Sequence, residues 1–401
     1  MNEKKLVRWP YLLMGFMIFL FIGLIYAWSI FVVPLEQAFG WIRSDTSNVF
    51  SVVLVFFSLG SLIGGFMTKK FSVKFIVRLS ALLLMAGFIL STRVTSLYQF
   101  YITYGVMCST GVGMSYTSVA GAVAKWFPDK TGTANGILFV GFGLAAMVLG
   151  WFVNLILEAT GWQTTFTVLG IAFGIILMLA VHKLDAPGSD VVFPEASAKR
   201  KSVTVFPDRD YTTQETMKRL TFWKIFIWAM FLCAAAYAVI GSVSPAVVSV
   251  GASLSLGALA TGFVSVFNGG SRVLWGAMYD KLGMRVTIMT VSAVFIAGSA
   301  IAIASVLAGS VAGVIIAFLF TGFGFGGVPT VASTTINKMY GKKYYSANFS
   351  VYMLTCIPAA FLGPALSGVL VTASGSYFTT FCMMLVASII GTGIALTIKK
   401  P

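Results

Sequence analysis

Phe267-Asn268-Gly269-Gly270-Ser271-Arg272-Val273-Leu274-Trp275-Gly276-Ala277-Met278-Tyr279-Asp280-Lys281-Leu282-Gly283-Met284-Arg285 holds the two features on which fold and function turn. Its first part belongs to an apolar run, 255–279, long enough to cross a bilayer, in which Arg272 is the only charged residue. Its second part is a short charged connector leading into the next apolar run. A charge in hydrocarbon costs roughly 2.5–3.5 kcal/mol on insertion scales, so Arg272 reads as a functional residue.

The rest of the chain repeats this apolar pattern. Of 401 residues, 58% are hydrophobic and 10% charged, with a mean hydropathy of +0.93. A soluble chain carries about a quarter charged residues, so this is an all-α polytopic membrane protein. The runs exceed the roughly 10 residues of a barrel strand. Twelve spans are expected, at 9–33, 46–68, 75–93, 97–124, 132–157, 163–182, 221–249, 255–279, 286–307, 309–336, 345–372 and 377–398. The first, behind Lys4, Lys5 and Arg8, is too long for a signal peptide and lacks a small-residue cleavage site, so it reads as a retained helix.

The net charge of +15 points to topology, not to nucleic acid. With the N-terminus inside, 24 of the 27 Lys and Arg fall on the cytoplasmic side, with only Arg43 and Arg93 outside and Arg272 in the membrane. Both termini are therefore expected in the cytoplasm and the chain in the cell (inner or plasma) membrane. A polar stretch with Pro187, Pro194, Pro207 and the run Lys199-Arg200-Lys201 reads as a solvated linker. It divides the chain into an N-terminal six-helix bundle (1–183), a cytoplasmic linker (184–220) and a C-terminal six-helix bundle (221–401).

The halves echo one another. Gly276 to Arg285 has its counterpart at Gly65-Phe66-Met67-Thr68-Lys69-Lys70-Phe71-Ser72-Val73-Lys74, with the acid and the second glycine lost. Lys125 and Asn135 recur as Lys338 and Asn348 with the same spacing. Two parallel repeats imply a pseudo-two-fold axis along the membrane normal, with a site on it at mid-bilayer.

The segment Gly276 to Arg285 matches in full the loop signature of the major facilitator superfamily, G-x-x-x-D-[RK]-x-G-x-[RK], and the chain resembles that superfamily. The resemblance implies a gating loop at Gly276, Asp280, Lys281, Gly283 and Arg285 that caps helix ends and holds the halves together. Tyr26-Ala27-Trp28-Ser29-Ile30-Phe31-Val32-Val33-Pro34, Lys125-Trp126-Phe127-Pro128-Asp129-Lys130-Thr131-Gly132 and Phe267 to Arg272 resemble more narrowly the bacterial oxalate:formate antiporter group, related to the monocarboxylate transporters.

Arg272 lies eight residues before Asp280, which places it about 12 Å into a hydrocarbon core roughly 30 Å thick. All twelve Asp and Glu lie outside the spans or at their ends, so a substrate carboxylate is the expected counter-ion. In the resembling group, oxalate is held between this arginine and a lysine of helix 11. Aligning on Tyr345-Ser346-Ala347 puts Cys356 at the lysine position. One fixed cation suits a monoanion and leaves a dianion half-neutralised. Asn268, one turn from Arg272, can orient the guanidinium or bond a substrate hydroxyl. Tyr26, Tyr116 and Phe325 match aromatic cavity positions of the group, and Tyr352 lies one turn from Cys356.

Small residues at 105, 109, 113, 117 and 121 give helix 4 a smooth face, and Gly322 to Gly327 before Pro329 mark a flexible or kinked stretch of helix 10. Pro358 and Pro364 are expected to bend helix 11. With one histidine, His182, and no nucleophile–base pair, phosphate loop or metal-ligand cluster, neither an enzyme nor a cofactor is expected. The reading is a monomeric secondary active transporter of small monocarboxylates (the lactate, pyruvate and formate class) working by alternating access. Proton-coupled symport is the favoured mode; a carboxylate antiporter and a non-transporting carboxylate sensor are the alternatives.

Overall fold

The computed structural model describes residues 8–182, 184, 187 and 209–398. Most of the linker, including Lys199-Arg200-Lys201, lies outside the described residues.

Every regular element among the described residues is helical. A bilayer core offers no water to backbone N–H and C=O groups, so a spanning segment must satisfy them within itself. The principal helices are α1 (Trp9–Ile22), α2 (Arg43–Met67), α3 (Val73–Ser91), α4 (Ser109–Trp126), α5 (Thr131–Val148) and α6 (Gly150–Ala180). After the linker come α7 (Leu220–Ile240), α8 (Leu254–Leu282), α9 (Met284–Leu307), α10 (Val311–Tyr340), α11 (Tyr345–Tyr352) and α12 (Phe378–Leu396).

Eight helical stretches among the described residues are long and apolar enough to cross a membrane on composition alone. Another passage is α1, which continues through the tight turn Gly23–Ala27 into Trp28–Phe39. The stretch Thr131–Ala180 contains two passages, because Gly161 at φ 80° and ψ 172° breaks the helix inside α6. The α4 passage, entered through Leu97–Phe100 and the wide turn Tyr101–Cys108, and the α8 passage complete the twelve. Glycine, serine and threonine dilute the hydropathy of both, and α8 also carries Asn268 and Arg272. The fold is thus the expected twelve-helix one.

Close helix packing follows the small residues. On α4, a Cβ added at Gly113 would meet Phe57 and Ser61 of α2, and one at Gly121 would meet Ser346 of α11. Thr117 donates to the Ser61 carbonyl at 2.8 Å. The stretch of helix 10 expected to be flexible or kinked lies within one continuous helix, α10, which includes Pro329. Those glycines are contact surfaces. Gly322 abuts Val264, Gly326 abuts Asn268 and Ser271, and Gly327 abuts Trp275, all of α8 except the Val291 of α9 that also touches Gly327. Helix 11 is irregular, as its prolines require. It passes from α11 through Met353–Thr355, Cys356–Ala360 and the wide turn Phe361–Ala365 into Leu366–Ser374.

Candidate functional site

Arg272 sits mid-way along α8 and is 1% exposed. Glycine places it there. Along α5, Gly132, Gly136 and Gly143 meet α8 backbone to backbone: an added Cβ at Gly136 would lie 2.6 Å from the Arg272 carbonyl, and one at Gly143 2.7 Å from the Gly269 Cα. Gly276 faces Gly132 in the same manner. A helix without side chains on its contact face lets its neighbour approach closely, and here that neighbour carries the arginine. Arg272 Nη2 donates to Asn268 Oδ1 at 3.2 Å, the one-turn pairing expected from their spacing.

The guanidinium lines a small cavity, about 20 Å³, between helices from before and after the linker. Phe57, Tyr116 and Phe142 come from the first set, and Cys233, Tyr237, Arg272, Phe325, Pro329, Tyr352, Met353, Thr355 and Cys356 from the second. Of the residues singled out in the sequence, Arg272, Tyr116, Phe325, Tyr352 and Cys356 therefore line one cavity. Asn268 stands behind the arginine and does not line the cavity. The side chain of Tyr26 lies outside the described residues.

The aromatic lining is tied down. Tyr116 stacks on Phe139 (5.4 Å, 6°) and meets the edge of Phe142 at 5.1 Å. Phe325 meets Tyr237 edge to face at 5.4 Å. Tyr237, Cys233 and Thr355 escaped the sequence reading. The signal for Tyr237 was its place as the lone phenol in Ala234-Ala235-Ala236-Tyr237-Ala238, a run otherwise of alanine. The Tyr237 hydroxyl donates to Cys356 Sγ at 3.2 Å.

The connector after α8 forms a second centre. Gly283 takes φ 83° and ψ 176°, a conformation that L side chains rarely adopt, and joins α8 to α9 with no intervening loop. That turn holds Asp280 against the first turn of α5. Its Oδ2 accepts from the Thr133 backbone N–H at 2.9 Å and the Thr133 hydroxyl at 3.0 Å, while Oδ1 accepts from Lys338 Nζ at 2.9 Å. A carboxylate here meets the positive end of the α5 dipole and its orphan amides. Lys281 and Arg285 point outward and are exposed.

The corresponding connector between α2 and α3 lacks this arrangement. Lys69 stands where the acid would be and lies over its own neighbour's ring, Phe66, at 4.4 Å. Ser72 replaces the glycine and caps α3 by accepting from Phe75 N–H at 3.3 Å. At the same end of the bundle Arg8 pairs with Asp129 through both guanidinium nitrogens. Partial burial pushes the Asp129 carboxyl up, but the Arg8 hydrogen bond, its own backbone N–H and the charges of Arg8 and Lys130 outweigh this and hold it below the usual carboxylate range.

Twelve membrane-crossing helices around a central cavity that carries a buried cation define a multi-pass membrane carrier. The chain belongs to the major facilitator superfamily, whose family model matches residues 11–361, and it is a secondary transporter of that superfamily and not an enzyme. It is similar to the oxalate:formate antiporter of Oxalobacter formigenes, 24% identical over 97% of this chain and 90% of that one. Monocarboxylate transporter 12 of Mus musculus is 30% identical over 38% of this chain and 31% of its own length. Among solved structures, FucP in the outward conformation superposes with a TM-score of 0.73 at 14% identity, covering 98% of this chain and 99% of FucP. The proton:xylose symporter XylE matches equally well (TM-score 0.73, 16% identity, 98% and 96% coverage).

Proposed function

We propose that this protein transports small monocarboxylates, with Arg272 as the carboxylate anchor. The observation that carries the reading is the charge of the central cavity: its lining holds one guanidinium and, among the described residues, no carboxylate. A guanidinium offers paired N–H donors in the plane a carboxylate needs. Cys356, not a second cation, is part of the lining, which favours a monoanion. The names of the two similar proteins, an oxalate:formate antiporter and a monocarboxylate transporter, support the substrate class.

Residues 1–183 and 221–401 act as two rocking halves joined by 184–220, with both termini and the Asp280 connector at the cytoplasmic face. A cavity of about 20 Å³ holds roughly one water, so a three-carbon acid enters only when the halves part. Proton symport is the favoured mode, the proton entering with the carboxylate. Exchange of one anion for another is the second reading, favoured by the full-length similarity to an antiporter.

The deciding experiment is uptake of labelled L-lactate into proteoliposomes, with and without an inside-alkaline pH gradient. Gradient-driven accumulation that Arg272→Gln abolishes identifies a proton-coupled monocarboxylate carrier. Exchange against preloaded acid without net uptake identifies the antiporter. A folded Arg272→Gln protein that binds lactate as tightly as the native chain overturns the anchor.

A further inference from the structure

We infer that Tyr237 sets the selectivity of this cavity by donating its phenol hydrogen to an oxygen on the carbon next to the substrate carboxylate. The cavity then favours 2-hydroxy and 2-oxo monocarboxylates over unsubstituted acids of the same length. This rests on Arg272 as the carboxylate anchor and adds a second point of recognition to it.

The argument begins with the wall. Phe57, Phe142, Phe325, Pro329 and Met353 make much of it apolar, so an oxygen on the substrate tail loses its water on entry. Such an oxygen is tolerated only where a donor meets it, since an unmatched polar group in an apolar site is costly. Three phenols line the cavity, at Tyr116, Tyr237 and Tyr352. Tyr116 has its ring stacked on Phe139, and Tyr352 has its ring stacked on Phe349 at 5.6 Å.

Tyr237 directs its hydrogen at a residue of the wall itself. It is 2% exposed, its ring is fixed against Phe325, and its hydroxyl is directed at the Cys356 sulfur, 3.2 Å away and itself part of the wall. A thiol sulfur is a weak acceptor, whereas a hydroxyl or ketone oxygen is a full one. Turning the phenol hydrogen from Cys356 to the substrate therefore exchanges a poor hydrogen bond for a good one. A substrate without that oxygen leaves the Tyr237–Cys356 contact as it is. Selectivity arises from the difference between these two hydrogen bonds, and it is moderate because the phenol keeps Cys356 as a partner when the oxygen is absent.

The test compares L-lactate and pyruvate with propionate in equilibrium binding to the purified protein in detergent. The native protein is expected to prefer lactate to propionate, and Tyr237→Phe to lower that ratio by about tenfold while propionate affinity stays native. Cys356→Ser places a stronger acceptor beside the phenol and is expected to lower the same ratio; it keeps the inference testable should the Phe variant not fold. Equal native affinity for lactate and propionate overturns the inference. So does an unchanged ratio in both variants, or a parallel loss of lactate and propionate in Tyr237→Phe, which would mark the phenol as structural. Arg272→Gln, run alongside, separates the two claims: it should lose all three acids, and retention of them overturns the anchor on which this inference rests.

Discussion

Asp280→Asn tests whether the contact between α8 and α5 holds one end of the transporter shut. Asp280 and Lys338 both follow the linker, so their ion pair travels together and survives any parting of the halves. What parting breaks is the pair of hydrogen bonds from Thr133, at 2.9 and 3.0 Å, together with the favourable charge at the α5 N-terminus. A neutral amide keeps an acceptor for Thr133 but loses the charge. Converting charge-assisted bonds to neutral ones costs about 1 kcal/mol, and the lost helix-end interaction about another 1 kcal/mol. Roughly 2 kcal/mol shifts the closed–open ratio by about thirtyfold. The change also strips Lys338, only 9% exposed, of its counter-ion, which destabilises the fold in any state. Asp280→Asn combined with Lys338→Met removes that complication. Amide hydrogen exchange over the first turn of α5 is the assay, because the Thr133 N–H exchanges only when its acceptor leaves. Exchange about thirtyfold faster in the double variant is expected. Protection within twofold of native would refute the reasoning and leave Asp280 as a local cap of no consequence for opening.

Two further outcomes are expected. Cys356→Lys should shift preference from monocarboxylates toward dicarboxylates in competition binding, since it places a second cation in the cavity with Arg272; unchanged selectivity in a folded variant would separate residue 356 from the substrate. The Asp129 carboxyl is held below its ordinary value, so its pairing with Arg8 contributes fully above about pH 3.8 and is lost as pH falls through the lowered folded value. Thermal unfolding in detergent across acid pH should therefore show a loss of stability in the native protein that is reduced in Asp129→Asn, and equal acid sensitivity would remove Asp129 from the account.

The sequence made most of the fold legible because apolar length is a strong signal and a bilayer permits few architectures. Within Gly276 to Arg285, Gly276 and Asp280 each meet α5 and Gly283 supplies a positive φ, whereas Lys281 and Arg285 are exposed. Two things were not legible. Gly322 to Gly327 read as a flexible or kinked stretch, because sequence does not reveal whether a glycine run also admits a neighbour; the approach of α8 through Val264, Asn268, Ser271 and Trp275 shows that it does. The cavity was half legible. Arg272 declared itself by the cost of its charge, whereas Tyr237 and Thr355 sit in ordinary apolar company and become site residues only when α7 and helix 11 are brought together. The seam partner Gly136, four residues from Gly132, carried a small-xxx-small spacing that could have been noticed.

That seam bears on how motion would proceed. Interlocked side chains must climb out of one set of grooves before dropping into the next, so ridged interfaces move in jumps of about a helical turn. Where Gly132, Gly136 and Gly143 face Gly269, the Arg272 carbonyl and Gly276, there are few ridges to disengage. A surface of this kind would act as a plain bearing, on which tilt is graded and needs few rotamer changes. The same smoothness makes it intolerant, because the smallest added side chain is a wedge. A methyl group at Gly136 has no groove to occupy and must lever the arginine-bearing helix away from the axis on which the substrate would be held.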